Sequence, residues 1–210
     1  MKSSVLKTGL YLLLSVLILT MLVTLLQYTR LDDHAGFLQF KQDWLNDRVW
    51  KAAFYIHVFT CFLCLFAGLT QFSTYLQRRQ KKTHRLLGKI YVFNILLINV
   101  PVGMILAVNA NGGLVSKVAF SLLGILWCYF TAMAWVYARR KQFIQHRHFM
   151  IRSYALTLSA LTLRLWKPVL LSLTSLDTYT IYQVDAWLGF GLNLLIAEWI
   201  IWREKHQRSR

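Results

Sequence analysis

An all-α, polytopic membrane bundle is the fold this sequence predicts, and three observations predict it. First, 57% of the 210 residues are hydrophobic, 15% are charged and only two are proline. A soluble domain of this size cannot cover that much apolar surface, so a bilayer must act as its solvent. Second, a hydrocarbon core about 30 Å thick needs about 20 apolar residues at about 1.5 Å each. Six windows of that kind run over residues 8–28, 52–76, 90–108, 118–138, 149–173 and 181–202. They lack the period-2 alternation of barrel strands, and backbone groups in lipid must be satisfied within their own segment, so each is predicted to be a helix. Third, with the amino terminus placed inside, the inner segments and adjoining helix ends hold 17 of the 24 lysines and arginines and the outer segments five, while Arg164 and Lys167 fall farther along the fifth window. That asymmetry predicts six transmembrane helices with both termini cytoplasmic.

The first window follows Lys2 and Lys7, as a secretory leader would, but it is long for one and ends in LLQYTR without a small-residue cleavage site. A retained helix is therefore expected. The next connection, residues 29–50, carries FLQFKQDWLNDRVW, whose mixed aromatic and charged residues predict a helix lying in the outer interface as a lid or belt. On the second helix, a projection at about 100° per residue gathers His57, Cys61, Cys64, Gly68, Gln71 and Tyr75 into one stripe that should face inward. The NANGG connection predicts a tight turn, with Gly112 and Gly113 free to take positive φ. On the fifth helix, His146, Ser153, Thr157 and Arg164 share a face. No repeat, low-complexity run or linker divides the chain, so residues 1–210 are expected to form one membrane domain.

The formal charge of +16 would suit a nucleic-acid binder, yet the positive residues sit in short inner loops where topology and an anionic leaflet demand them. Membrane lipid is the expected partner, and nucleic acid is not. Cys61, Cys64 and Cys128 all lie inside windows, and a thiol in hydrocarbon resists becoming the reactive thiolate, so CFLC is not read as a redox motif. Asp185 and Glu198 lie 13 apart on one helix and no glycine loop could cradle phosphate, so hydrolase, kinase and nucleotide-driven pump chemistry are not predicted. No catalytic residue is assigned.

Intramembrane polar residues are costly and mark function by default. Smaller ones, such as Gly68, Ser153 and Thr157, have a packing role open to them, because they let helices approach and hydrogen-bond. Arg164 either snorkels outward with Lys167 or pairs with a buried group or an anionic ligand. His57, a few residues past Lys51, is expected near Arg164, as a hydrogen-bonded core residue or as a ligand. His84 and His146 each stand where a helix leaves the inner surface, and so at nearly equal depth. Two such imidazoles suit the axial positions of a haem iron or another metal, with Arg85, Arg147 and Arg152 to neutralise propionates; histidines of a basic headgroup-level loop are the alternative.

These residues carry a resemblance. His57 followed by GLTQF, then THRLLGKIY, Trp127 and HRHFMIRSYALTLSALTLRL are similar to a family of bacterial predicted membrane proteins known as domain of unknown function 2306, over about residues 50–175. The resemblance implies a multi-pass protein of the bacterial cytoplasmic (inner) membrane with His57, Gln71, His84, Arg85, Gly88, Tyr91, His146, Arg147, Met150, Arg152 and Arg164 at motif positions, and it implies no established activity. More remotely, histidines on helices two, three and five resemble the ascorbate-type di-haem cytochromes b, although the fourth window lacks the histidine that a second haem would need. Two expectations follow. One is a redox membrane protein holding haem b or a metal at His84 and His146, with His57 a further cofactor candidate and a quinol or redox protein as partner. The other is a non-catalytic binding or transport protein that takes a small anionic or lipid-like ligand at Arg164, Gln71 and Tyr91; a purely structural subunit is a third.

Overall fold

The computed structural model describes the backbone of residues 2–208 and all side chains except those of residues 1–7, 10, 11, 13 and 208–210. Every regular element among the described residues is helical: α1 (Lys2–Leu26), α2 (Arg48–Gln71), α3 (Thr74–Arg78), α4 (Lys81–Phe93), α5 (Val100–Val108), α6 (Gly113–Arg139), α7 (Phe143–Thr157), α8 (Ser159–Leu173) and α9 (Thr178–Arg208). A π-helical turn, Asn94–Asn99, fuses α4 to α5. Four helices are long and apolar enough to cross a bilayer: Arg48–Gln71, Lys81–Val108, Gly113–Arg139 and Thr178–Gln207. The pair α7 and α8 qualifies as a fifth crossing if taken as one span bent by 42°. In the first window, Leu14–Arg30 is a shorter apolar helix, and part of the window lies outside the described side chains. The helices carry their apolar residues outward as well as inward. Leu63, Leu97 and Leu195 are 51%, 70% and 67% exposed, an arrangement that water would punish and lipid tails accept.

The bundle centre is a contact of α2, α4, α6 and α7. Gly68 on α2 lets the rings of Tyr91 and Tyr154 lie against the helix backbone. Tyr91, fully buried, shares hydrogen bonds with Ser153 (2.9 Å) and Thr157 (2.8 Å), Ser153 bonds Thr131 (2.7 Å), and Trp127 Nε1 donates to Thr157 (3.1 Å). Small and hydroxyl residues thus join helices here, as the packing role predicts. At one end, Arg147 forks onto Glu204 and Arg152 onto Glu198, which fastens α7 to α9.

The structure departs from the expected elements in three places. The second helix stops at Gln71, where Ser73 caps a new short helix by accepting from Leu76 N–H (3.4 Å), so Tyr75 leaves the inward stripe and is 62% exposed. Between α1 and α2 the chain forms no single helix but three short 3-10 turns, Gln27–Arg30, Gly36–Phe40 and Gln42–Trp44, with left-handed φ of 53° at Leu31 and 51° at Gly36. The segment nevertheless folds inward: Leu38, Tyr28, Trp50 and Phe54 form a satellite core. The fifth helix breaks at Leu158. No proline falls there; Ser159 and Thr162 hydroxyls bond back to Leu156 (2.5 Å) and Leu158 (3.3 Å) carbonyls, a habit that bends helices. Asn193 of α9 then donates to the Ala155 carbonyl at the bend (3.1 Å). The NANGG turn takes the form its glycines permit, with φ of 81° at Gly112 and 67° at Gly113.

Candidate functional site

The bend turns α8 away from the line of α7 and opens a cavity of about 610 Å³ between α1, α2, α5, α6, α8 and α9, beneath the residue 29–50 segment. Its walls are mostly apolar in area, with Phe54, Val58, Leu106, Phe120, Leu123 and Leu163 among them, and its polar lining includes His57, Asn99, Trp127, Thr157, Arg164, Lys167, Asp185 and Lys41. That composition, a large apolar void with sparse convergent polar groups, is the ordinary form of a small-molecule site. A smaller void of about 60 Å³ shares His57, Cys61 and Arg164 with it and continues between α1, α2 and α8.

Arg164 borders both voids and lies close enough to His57, Cys61 and Tyr28 to act on them electrostatically. Its guanidinium donates to the Ala160 carbonyl of its own helix (2.6 Å), and no carboxylate among the described residues forms an ion pair with it. The neighbouring cations are engaged: Lys167 lies over the Phe40 ring at 5.3 Å, and Lys41 donates to the Asn109 carbonyl (2.5 Å). Three buried polar atoms on cavity residues, His57 Nδ1, Asn99 Oδ1 and Asp185 Oδ1, have no hydrogen-bond partner. Each such atom costs about 1–3 kcal/mol when left unpaired, a cost a bound molecule or water can remove.

Lys41 belongs to the 29–50 segment, outside the spans. Burial, then the nearby Lys117, lowers its pKa to about 8 from an ordinary 10.5, against a smaller pull from Asp43. Between those two values the unfolded chain binds more protons than the folded one, so thermal stability in detergent rises with pH over that window. Lys41→Met should flatten the rise, and an unchanged pH profile in the variant would show that Lys41 remains charged throughout.

The sequence-derived residues divide between two places. His57 and Arg164 come together at the cavity. Gln71 and Tyr91 do not join Arg164: neither borders either void, Tyr91 being sealed in the hydroxyl cluster and Gln71 lying against Gly88. His84 and His146 meet elsewhere, near enough to act on one another electrostatically, and they too border neither void. His146 Nδ1 contacts the Ala134 carbonyl (2.8 Å), which makes it the donor and leaves Nε2 with the lone pair. Oriented with its nitrogen toward His84, the Gln71 amide donates to His84 Nδ1 and carbonyl (3.3 Å each) and accepts from Gly88 N–H (3.2 Å), which puts the His84 proton on Nε2. For both rings to offer Nε2 to one iron, Gln71 must turn over. Arg147 and Arg152, the expected propionate partners, are held by Glu204 and Glu198, while Arg85 is exposed on α4. No group of three His, Cys, Asp or Glu able to hold a metal occurs among the described residues.

Asn99 and Asp185 were not singled out in the sequence as ligand-facing. The available signals were an intramembrane asparagine two residues before Pro101 and an acidic residue within an apolar window. The π-helical turn delivers Asn99, since π insertions recur at functional sites.

A helical membrane protein with a largely apolar, arginine-bearing cavity in its bundle is the class this fold and site define. The chain matches the family described as "Predicted membrane protein (DUF2306)" over residues 54–201, and it belongs to that family. No curated protein and no solved structure matches it.

Proposed function

We propose that this protein is a membrane-embedded binding or transport protein whose cavity takes a small anionic or lipid-like ligand, with Arg164 as its anchor. In this reading α1 is a sixth crossing, both termini are cytoplasmic, the membrane is the bacterial inner membrane and the cavity lies in its outer half, as the lysine and arginine distribution favours. The observation that carries the proposal is Arg164 itself. A guanidinium bordering a largely apolar cavity in a membrane helix is costly without a counter-charge, and no described carboxylate forms an ion pair with it. Removing such a charge partner costs about 2–5 kcal/mol of binding, about 30-fold or more in affinity. Native mass spectrometry should find an acidic small molecule on the wild-type protein, and Arg164→Leu should assemble normally and lose it. If the variant retains the same species, the pocket is wrongly assigned.

A second reading, haem b or a metal between α4 and α7, is favoured by the proximity of His84 and His146 and by the carbonyl that orients the His146 ring, a common support for a ligating histidine. Its test is an optical spectrum of the purified protein, oxidised and then reduced with dithionite. A Soret band lost in His146→Ala supports it; absence of the band together with absence of stoichiometric metal eliminates it.

A further inference from the structure

We infer that the occupant of the cavity is a single-chain amphiphile ending in one carboxylate, of the size of a long-chain fatty acid. This rests on the binding role proposed above and narrows it. The head group follows from the charges. Lys167 lies against the Phe40 face and Lys41 is fixed on the Asn109 carbonyl, while Arg164 uses only one of its terminal nitrogens on the Ala160 carbonyl and keeps the other donors of its fork for a ligand. A planar guanidinium matches one carboxylate through two parallel hydrogen bonds, whereas a doubly charged phosphate would call for a second cation. The body follows from the walls. Beyond Arg164 the surfaces are those of Phe54, Val58, Leu106, Phe120 and Leu123, which suit hydrocarbon.

The size follows from the volume. At about 30 Å³ per non-hydrogen atom, the share a water molecule takes in the liquid, 610 Å³ holds on the order of 20 such atoms. That is a fatty acid of palmitate or stearate length; a two-chain phospholipid has more than twice as many atoms, and a short soluble anion would leave most of the apolar surface uncovered. The smaller void shares Arg164 and adds Met21, Phe62 and Leu65, so the apolar lining continues between α1, α2 and α8.

The full chain, purified in detergent and stripped of lipid, should bind radiolabelled palmitate at one per chain. Competition is then measured with octanoate, laurate, unlabelled palmitate, uncharged methyl palmitate and dioleoyl-phosphatidylglycerol. Palmitate should compete at least about tenfold better than octanoate, a difference of about 1.4 kcal/mol, and methyl palmitate and phosphatidylglycerol should compete poorly. Gly103 gives a ruler, because a Cβ there meets the His57 ring at an ordinary 3.7 Å. Gly103→Leu should shift the preference from palmitate to laurate. Should that variant fail to fold, the wild-type chain-length series decides alone. Equal competition by octanoate and palmitate, or mole-for-mole displacement by phosphatidylglycerol, overturns the single-chain inference and leaves anion binding at Arg164 standing, provided that Arg164→Leu abolishes it. Binding of none of these probes in an Arg164-dependent way overturns both.

Discussion

Gly68→Val should yield little or no folded protein. A Cβ at Gly68 would sit 2.9 Å from Tyr91 Cε2 and closer still to the Tyr154 ring. Neither ring is free to move aside: Tyr154 Oη donates to the Leu65 carbonyl (3.1 Å), and Tyr91 is held by Ser153 and Thr157. Overpacking a close-fitting core costs about 1–3 kcal/mol, and here relief of the clash also breaks hydrogen bonds worth about 0.6 kcal/mol each in a bilayer, with some reaching about 1.7. The stability so lost is a large share of a membrane domain's margin. Size-exclusion profiles in detergent should show aggregate in place of the wild-type peak. The smaller Gly68→Ala should retain a peak with a lowered melting temperature, and a wild-type profile for both would mean that α2 does not pack on these tyrosines.

Asn193→Leu should be the second most damaging change, and for a different reason. Its amide donates to the Ala155 carbonyl (3.1 Å) and the Thr162 hydroxyl (3.1 Å) at the bend between α7 and α8, and to the Gly189 carbonyl of its own helix (3.0 Å). Leucine fills similar space but leaves the Ala155 carbonyl unpaired, at a cost of about 1–3 kcal/mol. Because the bend also sets the direction of α8, and with it Arg164, anion binding should fall together with the melting temperature. Asn193→Gln, which keeps the donor on a longer stem, should recover part of both. Loss of stability with unimpaired binding would separate the bend from the cavity.

Much of the scaffold is legible in the amino-acid order, since a stretch of about 20 apolar residues has few structures open to it in lipid. The inward stripe of α2 is legible for the same reason: Cys64, Gly68 and Gln71 are buried where a helical projection places them. Tyr75 is not, because a serine cap ends the helix before it, and capping depends on the local backbone more than on periodicity. The break at Leu158 has no proline to announce it. It arises from hydroxyls that prefer backbone carbonyls, and comparable serines and threonines elsewhere, such as Thr20 and Thr60, make the same bonds within unbroken helices.

The candidate site was half legible. His57 and Arg164 stand out as costly residues in apolar surroundings, and they do converge. Gln71 and Tyr91 border neither void, and a one-helix projection could not tell this, because it reports which face a residue occupies and not which neighbour covers it. Tyr91 faces inward onto α7 hydroxyls, and Gln71 onto Gly88 and His84. Asn99 was hidden because its position depends on a non-α turn that a 100° projection does not contain.

That turn couples chain length to chemistry. A π-helical insertion carries one residue more than the α-helical path it interrupts, so everything after it is rotated by about 100° relative to an uninterrupted helix. Asn99, Gly103, Leu106 and Ala107 reach the cavity by virtue of that offset. Removing Leu97, which points away from the bundle, would cost almost no packing yet swing this whole wall toward another face, so that loss of a single lipid-facing codon would disarm the site more thoroughly than many substitutions within it.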